Sequence, residues 1–167
     1  MQINKRHKTA KNLPAVVPPP LDALPGHQIR RLQQIAVAIF LQETSATGFT
    51  SVQYAALQAI VNHPTIDQRS LASLVGLDTS TLAGVVERLE SRGLIERKPS
   101  PEDRRAKQMS PTPLGLRTLA EAIPAMLRAQ ERILAPLSKS DRKKFMQLLG
   151  VLVSANNDFS RAPSSVD

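Results

Sequence analysis

Cysteine and tryptophan are absent from this 167-residue chain, and aromatic residues make up only 3% of it. Without cysteine there is no disulfide, no thiolate metal site and no thiol nucleophile. A core short of large rings must be built from Leu, Ile, Val and Ala, which suits helices better than sandwiches or barrels. Long apolar runs are missing too: the longest, Ile35 to Leu41, falls far short of the roughly 20 residues that a membrane-spanning helix needs. The basic N-terminus lacks an apolar signal core, because Pro14 and Pro18 to Pro20 interrupt it, so the expected location is the cytoplasm. His7, His27 and His63 lie on separate segments, and no paired acids stand beside a nucleophile or a glycine-rich phosphate loop. Neither enzymatic activity nor a metal or cofactor is therefore expected.

Acids are also scarce, 14 against 22 Lys and Arg, which leaves a net charge of +8. An excess of that size favours a polyanionic partner such as nucleic acid, although basic surfaces also serve solubility or membrane association. The length allows one domain with a real core, or a small domain with a helical extension.

What the chain does contain is organised around Thr65 to Lys107. Asp67 can cap a helix whose Leu71, Leu74 and Val75 fall at helical spacing, and Gly76 sits where a helix ends in a left-handed residue. Asp78 or Thr79 can cap a second helix that carries Leu82, Val85, Val86 and Leu89 on one face and stops at Gly93. Two short helices joined by a glycine-containing turn form a helix-turn-helix, whose second helix can enter the DNA major groove. Leu94 to Lys98 then reads as a strand, Ala106 to Ser110 as its return, and the proline-bearing loop between them as a charged flap. The unit is a winged helix.

The flanking segments supply helices in excess of what a winged helix needs to cover its own core. Leu24 to Thr44 presents a wide apolar face through Ile29, Leu32, Ile35, Ala36, Ile39 and Phe40. Thr50 or Ser51 caps a second helix that ends at His63-Pro64. After the wing, Leu114 to Leu134 repeats at helical spacing with Pro124 expected to kink it, and Ser138 with Asp141 resembles a capping box before a last stripe of Phe145, Leu148, Leu149 and Leu152. The expected fold is mainly α: a winged helix-turn-helix with a small β-hairpin wing and N- and C-terminal dimerisation helices. Its expected parts are a basic, Pro-rich arm at 1–20, a dimerisation helix at 21–48, the DNA-binding domain at 49–112, dimerisation helices at 113–160 and a disordered tail at 161–167.

This arrangement resembles the MarR (multiple-antibiotic-resistance regulator) family of bacterial transcription regulators. The matching residues are Leu71-Ala72 and Leu77, then Val85 to Arg97 (VVERLESRGLIER), then Asp103-Arg104-Arg105 in the wing and Gly115 beyond it. The resemblance covers nearly all of residues 24–155 and implies a homodimer on a pseudo-palindromic DNA operator. It also implies a repressor released by a small aromatic or phenolic acid. The sequence departs from the family pattern at Ala83-Gly84, where many members carry Thr-Arg, and at Ser110-Pro111-Thr112-Pro113, which replaces the usual Leu-Thr.

Loss of that arginine shifts the expected base reading to Thr79, Ser80, Thr81 and Arg88, and Gly84 reads either as allowing close approach of DNA or as a tolerated glycine. Arg105, beside Arg104, is the expected minor-groove residue of the wing, since a guanidinium is narrow and weakly hydrated. Arg69, Lys98 and Lys107 are candidate phosphate contacts. Asp103 is read as structural, paired with Arg104 or Arg97 to hold the hairpin, and Arg92 as paired with Glu87 or Glu90. For an aromatic carboxylate effector, His27, Arg30 and Arg31 supply cations on the first helix, while Tyr54 and His63 on the second could face them. Two other classes stay open: a DNA-binding winged-helix protein that senses nothing, and a winged-helix protein–protein module. The cationic wing and recognition helix disfavour the second.

Overall fold

The computed structural model describes residues 17–99 and 107–160, and among these the chain forms six α-helices and a three-stranded antiparallel sheet. Helix α1 (Pro25–Glu43) opens on proline, whose missing N–H costs nothing in a first turn. A turn closed by Gly48 leads to α2 (Ser51–Asn62), which Thr50 and Gln53 start with a reciprocal capping box. Strand β1 (Ile66–Asp67) runs directly into α3 (Gln68–Val75), where the Asp67 carboxylate accepts the Arg69 and Ser70 N–H groups. Gly76, at φ +68°, turns the chain into α4 (Thr79–Ser91), and Asp78 rather than Thr79 is the cap. Beyond Gly93 come β2 (Ile95–Pro99), β3 (Lys107–Pro111), α5 (Pro113–Leu134) and α6 (Lys139–Ala155).

The core lies where α2, α3, α4 and the sheet meet. Leu57, Ile60, Leu71, Leu82, Val86 and Leu89 are fully buried there, with Met109 from the central strand. Three of the five Phe and Tyr rings cluster together, the Tyr54 ring meeting Phe40 and Phe49 edge-on at 5.8 and 6.3 Å between centroids. Gly115 lets the first turn of α5 rest against β2, because a Cβ there would stand 2.0 Å from the Leu94 carbonyl oxygen. Thr112 locks the same junction: its hydroxyl donates to Gly93 O, and its N–H donates to Leu94 O.

Two features depart from the sequence reading, the sheet and the start of α6. The sheet has a third strand, with Ile66 and Asp67 paired to Met109 and Gln108 in the order β1-β3-β2. A two-residue strand is too short to leave a period-2 pattern. It is bought by Thr65, a β-branched residue at φ +70° whose N–H donates to Met109 O. Helix α5 runs continuously through Pro124, the residue expected to kink it. Ser138 does cap α6, but the reciprocal half of a capping box is missing, since its hydroxyl donates to the Asp141 carboxylate instead.

The helices outside the winged unit are under-packed. Glu43 holds α1 to α5 by accepting from Arg128 at 3.1 Å and Arg132 at 3.2 Å, and those bonds, led by Arg128, keep its pKa below the usual carboxylate value. Yet Ile29, Leu32 and Ile35 on α1 and Ile123 and Leu127 on α5 remain exposed. Helix α6 buries none of its residues. No helix among the described residues is long and apolar enough to cross a membrane.

Candidate nucleic-acid interface

Burial of Leu82, Val86 and Leu89 fixes which side of α4 points outward. A 3.6-residue period then places Thr79, Ser80, Thr81, Gly84, Glu87 and Arg88 on the exposed side, and each is solvent-accessible. Nothing lies within 4 Å of where a Gly84 Cβ would be, so the helix face opens onto free space at that position. Among the described residues Arg88 joins no ion pair.

The first turn of α4 is tightly bonded to Asp78. One carboxylate oxygen accepts the Thr81 N–H at 2.8 Å and the Ser80 hydroxyl at 2.5 Å; the other accepts the Thr81 hydroxyl at 2.7 Å. These donors, led by the Ser80 hydroxyl, hold the Asp78 pKa well below the usual carboxylate range. Asp67 is held low in the same way by the Ser70 side chain and by the N–H groups it caps. A 3.5 Å contact from the Gln68 amide to Thr79 O ties the starts of the two helices together.

The far end of α4 is anchored twice, and neither anchor is the one expected. Arg92 pairs with neither Glu87 nor Glu90; it donates to Thr47 O at 2.8 Å, and its guanidinium lies 4.9 Å from the Phe49 ring centroid. Glu90 instead accepts from Arg97 on β2, so the helix and the wing are joined by an ion pair that lowers the Glu90 pKa and raises that of Arg97. Arg97 is one of the two residues expected to pair with Asp103. Asp103, Arg104 and Arg105 lie outside the described residues. Lys98 pairs with Glu96 on its own strand at 2.7 Å, Lys107 is exposed at the start of β3, and Arg69 is exposed on α3. The contacts of Arg92 span 45 residues, so no local pattern could have disclosed them.

The five residues expected around an effector do not come together. His27, Arg30 and Arg31 share an open groove of about 390 Å³ along α1 with Gln34, Ile35 and Ala38. Arg30 bridges it, 3.5 Å from His27 Nδ1 and 3.4 Å from the Gln34 side-chain oxygen. Gln34 carried no signal in the sequence, being one polar residue among several on that helix. Tyr54, by contrast, is a core residue, and burial raises its pKa. His63 lines a different cleft, with Thr65, Asp67 and Ser70. Among the described residues no group of His, Asp or Glu is placed to hold a metal.

Comparison with known proteins gives one consistent answer. The MarR family model matches residues 49–107. The chain is 30% identical to the HTH-type transcriptional repressor NicR of Pseudomonas putida, over 83% of this chain and 92% of that protein. The PcaV transcriptional regulator of Streptomyces coelicolor, solved with its natural ligand, superposes with a TM-score of 0.78 at 36% identity, covering 84% of this chain and 99% of PcaV. BpsR of Bordetella bronchiseptica, whose DNA binding is regulated by 6-hydroxynicotinic acid, superposes at 0.77 with 27% identity, covering 81% of this chain and 97% of BpsR.

Proposed function

The chain belongs to the MarR family of transcription regulators, and on that premise we propose that it is a homodimeric repressor released from a pseudo-palindromic operator by an aromatic acid. One observation carries the reading: an exposed hydroxyl- and arginine-bearing helix face stands beside helices whose apolar faces are bare. On α6, Leu148, Val151 and Leu152 are 55, 64 and 53% exposed. A stripe of that size in water calls for a partner surface. A second copy supplies it, because the same stripe on a two-fold mate is self-complementary and sets two α4 helices for two half-sites.

Thr79, Ser80, Thr81 and Arg88 would then face base edges over Gly84, with Arg69, Lys98 and Lys107 toward phosphates and Arg104 and Arg105 in the wing. The effector would lie along α1. Its carboxylate would be gripped by Arg31 and His27, with its ring on Ile35 and Ala38. BpsR's response to a hydroxynicotinic acid supports that ligand class.

Mobility shifts with DNA flanking the protein's own gene, and with duplexes enriched from a random pool, test this directly. Affinity is expected to fall steeply with salt as counterions are released. It is also expected to fall on adding one of a panel of hydroxylated benzoates, cinnamates and nicotinates. Failure to retain any duplex would refute the reading. Retention that no acid disturbs would remove the sensing half and leave a constitutive DNA binder.

A further inference from the structure

A hydroxyl has one proton to give and two lone pairs to receive with. On the outer face of α4 the proton directions of Ser80 and Thr81 are already decided. The Asp78 carboxylate can only accept, and it takes the Ser80 hydroxyl at 2.5 Å and the Thr81 hydroxyl at 2.7 Å, while also holding the Thr81 N–H. Hydrogen bonds from a hydroxyl to a carboxylate of this length are about twice as strong as neutral ones, so redirecting either proton toward DNA is unfavourable. Both side chains nevertheless remain exposed. They therefore meet any ligand as acceptors.

In the DNA-binding role proposed above, on which the inference rests, that ligand is a duplex. Phosphate oxygens accept and never donate, and the same is true of guanine O6 and N7, thymine O4 and adenine N7. None of these can bond to a hydroxyl whose proton is committed elsewhere. The donors offered by a major groove are the exocyclic amino groups, adenine N6 and cytosine N4. We infer that Ser80 and Thr81 are amino-group readers, each selecting adenine or cytosine on the strand it faces. Asp78 is the positioning residue that makes them acceptors. Its negative charge acts in the same direction, repelling phosphate from this turn and favouring an amino donor. Gly84, with open space beyond it, lets a base edge come up to the turn without meeting a side chain. Arg88, further along the helix, offers only donors and so reads the complementary acceptors.

The test uses the full-length protein on an operator enriched from a random duplex pool. Each adenine in a half-site is replaced in turn by purine, which lacks the N6 amino group, and each cytosine by 2-pyrimidinone, which lacks the N4 amino group. Binding is compared for the wild type, Ser80→Ala, Thr81→Val and Thr81→Ser, with circular dichroism and melting to verify the fold. At one or two positions per half-site, amino deletion should weaken wild-type binding about 3- to 10-fold, the range of one net hydrogen bond. The same deletion should cost the matching Ala or Val variant nothing further, while Thr81→Ser, which keeps the hydroxyl, should retain the wild-type penalty. Amino deletions that are uncoupled from both residues would overturn the inference, as would coupling to guanine O6 removed by 2-aminopurine. In either case an enriched operator leaves the DNA-binding role standing. Enrichment of no duplex at all would overturn both.

Discussion

Single atoms decide several properties of this molecule. Gly115 is required by contact, since any Cβ there would meet the Leu94 carbonyl at 2.0 Å and neither backbone can yield cheaply. Gly115→Ala should therefore destabilise the fold by about 3 kcal/mol, at the upper end for overpacking, and urea denaturation would reveal it. Gly84→Ala, on an open helical face, should instead stabilise by up to about 1 kcal/mol. If Gly84 matters to the function, the cost will appear in DNA affinity alone. Arg92, whose spacing suggests one of a pair of charges on α4, instead clamps the α1–α2 turn through Thr47 O and the Phe49 ring. Arg92→Ala should cost about 1 kcal/mol, since the site is exposed, and Arg92→Lys should recover only part of it because lysine lacks the planar fork.

Several of the bonds that hold the elements in place end on carboxylates in their ionised form. Asp67 and Asp78 cap the two helices of the helix-turn-helix, Glu90 joins α4 to β2 through Arg97, and Glu43 joins α1 to α5. Each has its pKa lowered in the folded state. A group of that kind stabilises the fold fully above its unfolded pKa, and the contribution disappears as pH falls through the folded value. Stability should therefore be level above about pH 5 and decline steadily below it, as followed by denaturation at stepped pH. Asp78→Asn should flatten the lower part of that decline, because the lowest-titrating group is gone. A double-mutant cycle on Glu90→Gln and Arg97→Gln would register the helix-to-wing tie as a positive coupling; independent, additive losses would mean that the pair contributes nothing.

At the scale of the whole molecule, one core runs from the winged unit into α1 and α5 through Phe40, Leu119, Ala122 and Ala129, while α6 buries none of its residues. Changing Leu148 and Val151 together to Asp should leave the helix content unchanged and convert a dimer to a monomer in sedimentation. It should also abolish the tighter, two-half-site mode of DNA binding. A double variant that still sediments as a dimer would place self-association elsewhere.

The local punctuation is legible in the sequence. Asp67 as a cap, Gly76 as a left-handed stop, Gly93 as a helix end, and helical spacing of Leu71, Leu82 and Leu89 all act over three or four residues, and the structure carries each of them. The family pattern from Val85 to Arg97 is equally local and suffices to identify the class. What the chain alone could not disclose depends on residues distant in sequence. The strand made by Ile66 and Asp67 exists only because β3 is there to pair with, and Arg92 finds its partner 45 residues away. The helical spacing that makes Tyr54 a candidate ligand residue does not distinguish a face turned to a pocket from one turned to Phe40 and Phe49. The direction of the Ser80 and Thr81 protons is different again, set by a carboxylate only two and three residues back. The residues are readable as candidates, but only the three-dimensional placement of the Asp78 oxygens determines that they accept, because a hydroxyl commits its proton to the acceptor nearest in space.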